Sequence, residues 1–448
     1  MRRAAGYLIT AFSIITILTS VMMNSAAAET LTLQKAVGIA LENNSGLKAH
    51  SWSITSQKED YGAARSNLYP KIGIEEKFIR TDNPTYDFMA RLNQERFTQE
   101  DFAVDSLNDP RAISDFQTSF NFEQPLFIPK LYYGMKLAEG ELNAKNKDLE
   151  RMKNEVTRNV VRNALLIQTA KQFISVSELA LRDAQEHKRL AGLRYENGLG
   201  LYSDVLRADT RIKNAEAEVA RSEGDLEIAK RALGLLLGRN EAVDIDDEKP
   251  VLPLDDLSVY LDAAVQREDV KALNARYESS INAVKMEKSV FFPEVGIGGS
   301  YLLNDHRGPF SAEGESYIFT AFLKWNLFDA SSYHRVKKAE AEANGIKQRI
   351  SGMEQEIQFR VHEAYIRIGE KEKVVALART ALADSEEALR LVRTRYENSL
   401  APMVDLLDTQ LMLDNARARL VRAENEYMNS IVDLYFQSGL LLKTLISN

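Results

Sequence analysis

The chain of 448 residues contains no cysteine, which excludes disulfide scaffolds, thiolate zinc sites, iron–sulfur ligation and cysteine nucleophiles. Histidine is scarce: His50, His187, His306, His334 and His362 lie far apart and form no cluster with ligand spacing. Glycine (22) and proline (10) are few, while 27% of residues are charged, a balance of long helices rather than of a loop-rich enzyme. A basic excess is missing as well. The 57 Lys+Arg face 65 Asp+Glu, a net of −8, so no nucleic-acid-binding face is expected. No G-x-x-x-x-G-K-[ST] loop occurs, so no energy from nucleotide hydrolysis is expected of this chain. No nucleophile–base constellation or metal cluster is visible, and neither an enzyme nor a cofactor is expected.

What is present begins with a targeting segment. Arg2 and Arg3 precede an apolar stretch from Tyr7 to Met23, followed by Ala26 and Ala28 in A-x-A spacing. This is the pattern of a secretory signal over 1–28, with cleavage expected after Ala28. Cleavage removes two arginines and leaves 420 residues with net charge −10. Without a cysteine at the cleavage site, a lipoprotein anchor is excluded. Beyond this segment no run of about 18 apolar residues follows, so no transmembrane helix is expected. Such a chain fits the periplasm or outer membrane of a Gram-negative cell.

The remainder is written twice. Arg194-Tyr195-Glu196-Asn197-Gly198-Leu199 returns as Arg395-Tyr396-Glu397-Asn398-Ser399-Leu400, an offset of 201 that holds from Phe122/Leu323 to Gly238/Gly439. A second offset of 223 relates the leading parts, pairing Pro70 with Pro293, Gly73 with Gly296 and Phe78 with Tyr301. One structural unit has therefore been duplicated, with an insertion of 22 residues in the first copy between Phe78 and Phe122. The expected units are a first repeat over 29–238, an acidic linker over 239–256 and a second repeat over 257–448. The linker's carboxylates lack the spacing and glycine of a calcium loop, and a solvated linker is expected. The insertion, 80–117, is expected to be an extended loop at the cell-exterior end.

Each copy reads helix, strand, loop, strand, long helix, turn, long helix. Leu406, Thr409, Leu413, Ala416, Leu420 and Ala423 step by three and four, and Val205, Ala208, Ile212, Ala215, Val219 and Ser222 repeat the pattern. A period of about 3.5 residues keeps one seam toward a partner helix. The hairpins are expected over about 131–238 and about 333–440. Their outgoing helices come to about 95 Å at about 1.5 Å per residue, a length suited to a rod or tube.

The strands are expected over about 69–80, 117–127, 292–303 and 316–328. Tyr317, Phe319, Ala321, Leu323, Trp325 and Leu327 alternate with Ser316, Ile318, Thr320, Phe322, Lys324 and Asn326, which fits a transmembrane barrel strand. A half-buried soluble sheet shows the same alternation. The strand–helix boundaries favour the barrel, because Tyr69, Phe127, Tyr132, Tyr133, Phe291, Phe292, Trp325, Phe328 and Tyr333 collect at one end as an interfacial girdle does. Two copies supply four strands, which cannot close a barrel, and open edges are not tolerated in lipid. Membrane insertion therefore requires oligomerisation.

Over roughly 31–442 the chain resembles the TolC family of outer-membrane efflux and secretion channel proteins. The resemblance rests on the two turn motifs with Asp204 and with Val404-Asp405-Leu406-Leu407-Asp408, and on Tyr69-Pro70 and Phe292-Pro293 leading into strands. It implies a mostly α fold with a β-barrel contribution: a homotrimer with a 12-stranded barrel over an α-helical periplasmic tube. It further implies contact with outer-membrane lipid, docking to a periplasmic adaptor, and an inner-membrane RND-type pump or ABC exporter. Asn197, Gly198 and Leu199, with Asn398, Ser399 and Leu400, then correspond to the adaptor-contacting tips. Asp405 and Asp408 correspond to an acidic periplasmic gate, and Tyr396 and Asp204 to its contact network. Ala401 stands where the best-known member has an arginine, so that lock does not transfer, and Arg207 and Arg211 are the expected substitute cations. Read from the residues alone, Asp405 and Asp408 suit a solvated or capping pair near a helix N-terminus better than a pore. The competing reading of the whole chain is a soluble periplasmic coiled-coil adaptor or structural protein.

Overall fold

The computed structural model describes residues 30–447, so the expected signal peptide over 1–28 lies outside the described residues. Strand β1 (Thr30–Leu31) leads into helices α1 (Leu33–Asn43) and α2 (Ser45–Ser66). Asn44 ends the first and caps the second, its Oδ1 accepting from the Gly46 and Leu47 amides at 3.0 and 3.2 Å. Strand β2 (Lys71–Thr81) is followed by α3 (Pro84–Asn93), α4 (Val104–Asn108), β3 (Ile113–Phe127), α5 (Pro129–Glu196) and α6 (Tyr202–Leu236). The linker carries β4 (Asp244–Ile245). The second unit then runs α7 (Leu257–Ala264), α8 (Glu268–Lys288), β5 (Glu294–Asp305), β6 (Gly314–Lys324), α9 (Ala330–Glu397), α10 (Met403–Ser438) and α11 (Leu441–Ser447).

Helices α5 and α9 are both 68 residues long, about 100 Å of helix. The return helices α6 and α10 have 35 and 36 residues and pair with the half nearer the turns. On the strand-side half α2 and α8 take over: α2 packs on α5, and α8 packs on both α5 and α9. The buried residues of α6 (Ala208, Ile212, Ala215, Ser222, Ala229, Leu233) step by three, four and seven, as the heptad requires. At mid-length an apolar core gathers Val160, Ile167, Leu233, Ile245, Tyr260 and Leu434.

The linker is not simply solvated. Its β4 pairs in parallel with β1, Ile245 is fully buried, and Asp244 lies 3.0 Å from Lys171 and 2.7 Å from Lys230. Lys171 and Lys230 on the helices thus hold Asp244, while Asp247, Glu248, Asp255 and Asp256 stay exposed. The insertion is not an extended loop either. Asn83 caps α3 with Pro84 at its start, Phe97 stacks edge-on with Phe88 and Phe102 at 5.0 Å, and buried Gln94 donates to Asp115 at 2.8 Å. Local capping and an aromatic cluster fold it onto the strand ends.

The four-stranded sheet has the order β2-β3-β5-β6 and is antiparallel throughout. Ile72 pairs with Phe122; moving these by 223 and 201 reaches Val295 and Leu323, which also pair. The duplication is thus kept to the residue in strand register. Registers across the sheet set Ile72, Ile74 and Phe78 against Phe122, Phe120 and Phe116, then Phe120 against Tyr301 and Phe122 against Gly299, and Val295, Ile297 and Tyr301 against Leu323, Ala321 and Tyr317. One face therefore carries most of the large apolar side chains, with Glu76 and Thr118 hydrogen-bonded to each other among them, and the other carries Glu75, Lys77, Ser119, Asn121, Ser300 and Thr320 together with Ile318 and Phe322. Strand β6 ends at Lys324, so Trp325 and Phe328 lie in the connection to α9, past the strand expected to reach 328. No helix among the described residues is long and apolar enough to cross a membrane.

Candidate functional site

The turn between α5 and α6 and the turn between α9 and α10 close alike. In the first, the Gly198 amide donates to the Tyr195 carbonyl at 3.0 Å and the Leu199 amide to the Arg194 carbonyl at 2.8 Å. In the second, Ser399 and Leu400 donate to Tyr396 and Arg395 at the same distances. Asn197 and Asn398 each cap their helix by donating from Nδ2 to the carbonyl four residues back. The closing residue is left-handed in both: Gly198 at φ +68° and Ser399 at φ +61°. Pro402 is the N-cap of α10, its fixed φ leading into the first helical turn.

All six expected tip residues, Asn197, Gly198, Leu199, Asn398, Ser399 and Leu400, are exposed. The surroundings of the two turns differ. Arg194 reaches across to the second turn, donating to the Tyr396 carbonyl and, at 3.0 Å, to Ser399 Oγ, while also donating to Leu199 O at 3.2 Å. Its guanidinium lies 4.7 Å above the Tyr396 ring. Tyr396 is 3% exposed and packs with Ala191, Ala208, Met403 and Leu406. Burial pushes the Tyr396 phenol above its ordinary range; the Arg194 cation opposes this and the Asp204 carboxylate reinforces it. The structure thus gathers Tyr396, Asp204 and Arg194. The cation in this group is Arg194, not the expected Arg207 or Arg211. Arg207 is exposed, and Arg211 is drawn to Asp414 further up the hairpin. The sequence motif contains Arg194, but nothing in the motif says that its partner stands 202 residues away.

Asp405 and Asp408 lie three residues apart on the first turns of α10, both exposed, and neither enters an ion pair among the described residues. A second group that the sequence does not reveal lies above them. The Gln410 amide donates to Asp183 at 3.0 Å and to Asp414 at 2.9 Å, leaving its oxygen to accept from His187 Nε2 at 3.0 Å. Arg417 also donates to Asp183 at 3.0 Å. This polar group joins the two hairpins across α5 and α10.

At the other end of the helices, Tyr132 and Tyr133 stack at 5.4 Å, Phe291 and Tyr333 at 5.4 Å, and Trp325 Nε1 donates to the Phe291 carbonyl at 3.1 Å. Tyr69, Phe127, Phe292 and Phe328 stand exposed around them. Among the described residues, Asp305, His306 and Glu313 approach metal-ligand spacing. Their charge is already matched, because Arg307 Nη2 lies 2.8 Å from Asp305 and Arg96 lies 3.8 Å from Glu313. This is an arginine–carboxylate network at the strand ends.

Comparison with known proteins decides the family. The outer membrane efflux protein signature matches residues 36–239 and 259–440. This chain belongs to the outer membrane efflux protein family. The gap between the matched segments contains the linker, so the signature covers each half in turn. Among relatives of the family, the solvent efflux pump outer membrane protein SrpC of Pseudomonas putida is 22% identical over 427 residues, 91% of this chain and 85% of that one. The outer membrane protein TolC of Vibrio cholerae is 24% identical over 174 residues, 38% of this chain and 39% of that protein. A crystal structure of CusC superimposes with a TM-score of 0.78 at 16% identity, covering 92% of each chain. The fold is that of the TolC-like channels, and the chain is an outer-membrane protein extending into the periplasm.

Proposed function

We propose that this chain is the exit duct of a tripartite efflux pump or a type I secretion system. Three copies form a 12-stranded barrel in outer-membrane lipid above a helical periplasmic tube, and substrates cross passively. The observation that carries this reading is the four-stranded sheet. It has one mainly apolar face and two unpaired edges, β2 and β6. In lipid each unpaired backbone group costs on the order of several kcal/mol, so the sheet is tolerable only when closed by other copies. A soluble adaptor has no use for such a face, which argues against the competing reading.

The two turns form the periplasmic entrance in this reading. Three copies of Asp405 and Asp408 ring it with carboxylates, attracting cations and repelling one another. Exposed Leu199 and Leu400 with their neighbouring asparagines meet the periplasmic adaptor, which in turn joins an RND-type pump or an ABC exporter. The aromatics from Tyr69 to Tyr333 mark the periplasmic membrane interface. The detergent-extracted protein is expected to be a trimer that conducts ions in planar bilayers, with cation preference lowered in Asp405→Asn/Asp408→Asn. A monomer extracted without detergent sinks the duct, and unchanged selectivity removes these carboxylates from the pore. Leu400→Asp is expected to impair export while leaving the trimer intact.

A further inference from the structure

A groove of about 520 Å³ runs between α5, α9 and α10 at mid-length. Arg158 and Arg162 on α5 line it, with Arg360, Arg367 and Lys371 on α9. Three carboxylates share the lining, and each is already taken. Arg162 reaches Asp433 at 2.9 Å, Arg367 and Arg360 reach Glu363 at 2.9 and 3.4 Å, and Lys371 reaches Glu426 at 2.9 Å. Five cations over three carboxylates leave the lining with a charge of +2. Glu356 and Glu370, outside the lining, approach its cations only at 3.7 and 3.9 Å.

Arg158 is the cation without a carboxylate. Its guanidinium lies 4.0 Å from the centre of the Phe436 ring, its Nε is buried without a hydrogen-bond partner, and no protein acceptor takes its other N–H groups among the described residues. Donors on a buried, charged group are costly to leave unmet, so an entering acceptor is favoured there. Arg151 lies over the same ring, also at 4.0 Å. Burial pushes its guanidinium down to about 10, and repulsion from Arg267 and Arg158 adds to this while Asp269 and Glu155 oppose it. The end of the groove near Phe436 is therefore electropositive.

The groove and the mid-length core use opposite sides of the same helices. Tyr365 and Tyr435 turn toward Tyr260 of α7, with ring centres 6.4 and 5.6 Å away, and Tyr435 donates to the linker's Pro253 carbonyl. Glu363, Arg367 and Asp433 on those two helices turn to the groove instead, and no described residue of the linker, α1, α7 or α11 lines it. In a duct whose linker wraps the outside, the groove opens to the lumen.

We propose that this groove binds the oxyanion group of an organic solute (sulfonate, phosphate or carboxylate), with Arg158 and Arg360 as its direct donors. Arg158 brings donors that no protein group claims. Arg360 holds its carboxylates loosely, at 3.4 and 3.7 Å, and turns to a better acceptor. Guanidinium groups suit planar or tetrahedral oxyanions through paired N–H donors, and Ala364 with the alkyl stems of the basic residues gives the solute an apolar floor. The site is complete in one chain. Its place in the lumen, between the acidic entrance and the barrel, rests on the duct proposed above.

The test uses pyrene-1,3,6,8-tetrasulfonate and the full chain in detergent, with binding followed by fluorescence anisotropy. Saturable binding is expected, and Arg158→Gln/Arg360→Gln is expected to weaken it at least about tenfold. Arg379→Gln, at an arginine of α9 that pairs with Glu424 away from the groove, is expected to change it less than about twofold. Should the double variant fail to fold, Arg360→Gln alone changes only a half-exposed side chain and is expected to weaken binding at least about threefold. The same dye is expected to reduce wild-type channel current in planar bilayers and to leave the double variant's current unchanged. No saturable binding to the wild type, or equal affinity in wild type and groove variants, overturns the site. Binding that depends on these arginines without any effect on current overturns the lumen placement. Chains that bind the dye yet form no trimer overturn the duct and leave the groove standing.

Discussion

The two helix turns have nearly the same sequence and different surroundings. Arg-Tyr-Glu-Asn precedes the left-handed residue in both, and the closing hydrogen bonds agree in length. Yet Tyr396 is buried beneath Arg194, while Tyr195 stands half open beside Tyr202 at 5.4 Å. The local conformation is set by local residues. The burial is set by what the rest of the molecule brings to each turn. The second turn receives the first repeat's Arg194 within the same chain; no arginine lies over Tyr195 of the first turn among the described residues. The duplication thus places one copy of the tyrosine inside and the other at the surface.

Leu406 tests this contrast most strongly. It is fully buried at the second turn, and its counterpart Val205 is only half-buried. Leu406→Ala is expected to destabilise the tip by about 3 kcal/mol, read as faster hydrogen exchange in the last turns of α9 and α10. Val205→Ala is expected to have a much smaller effect in an isolated chain. Equal effects would erase the distinction between the turns.

Arg194→Ala comes next. It removes two charge-assisted hydrogen bonds to the second turn and a cation–π contact, together about 2 kcal/mol. The expected outcome is a more open entrance, measured as raised single-channel conductance. Arg395→Ala is expected to act only in the assembled protein. An effect of Arg395→Ala on tip exchange in isolated chains would contradict its having no intrachain role.

The smallest effect concerns the left-handed residue. Gly198→Ser places a side chain at φ +68° and is expected to cost about 1 kcal/mol, by the same exchange measurement. Ser399→Gly relieves the equivalent strain but loses the 3.0 Å bond from Arg194, so it is expected to be near neutral. A large loss in Ser399→Gly would mean that the hydrogen bond outweighs the backbone strain.

Much was legible from residues close in sequence. The constant offsets announced the duplication, the three-and-four spacing of Leu406, Leu413 and Ala416 marked a buried seam, and Asn-Gly and Asn-Ser marked the turns. The alternation of Tyr317, Phe319, Ala321 and Leu323 named the apolar face. Less legible were groups whose partners stand far off. Gln410 sits on a helix seam like any polar interruption, and only the packing of α10 on α5 turns it into a junction for His187, Asp183 and Asp414. The fold of the insertion is not legible in its sequence, because its stabilising contacts, Gln94 to Asp115 and Phe88 to Phe97, are tertiary.

The absence of cysteine, the duplicated units and the periodicities fixed a chain of long helices and short amphipathic strands, because those patterns act over a few residues and need no partner. Which copy of a repeated residue is buried was decided only by the tertiary structure. Identical side chains at Tyr195 and Tyr396 have identical propensities, and the free energy that separates them comes from neighbours two hundred residues away.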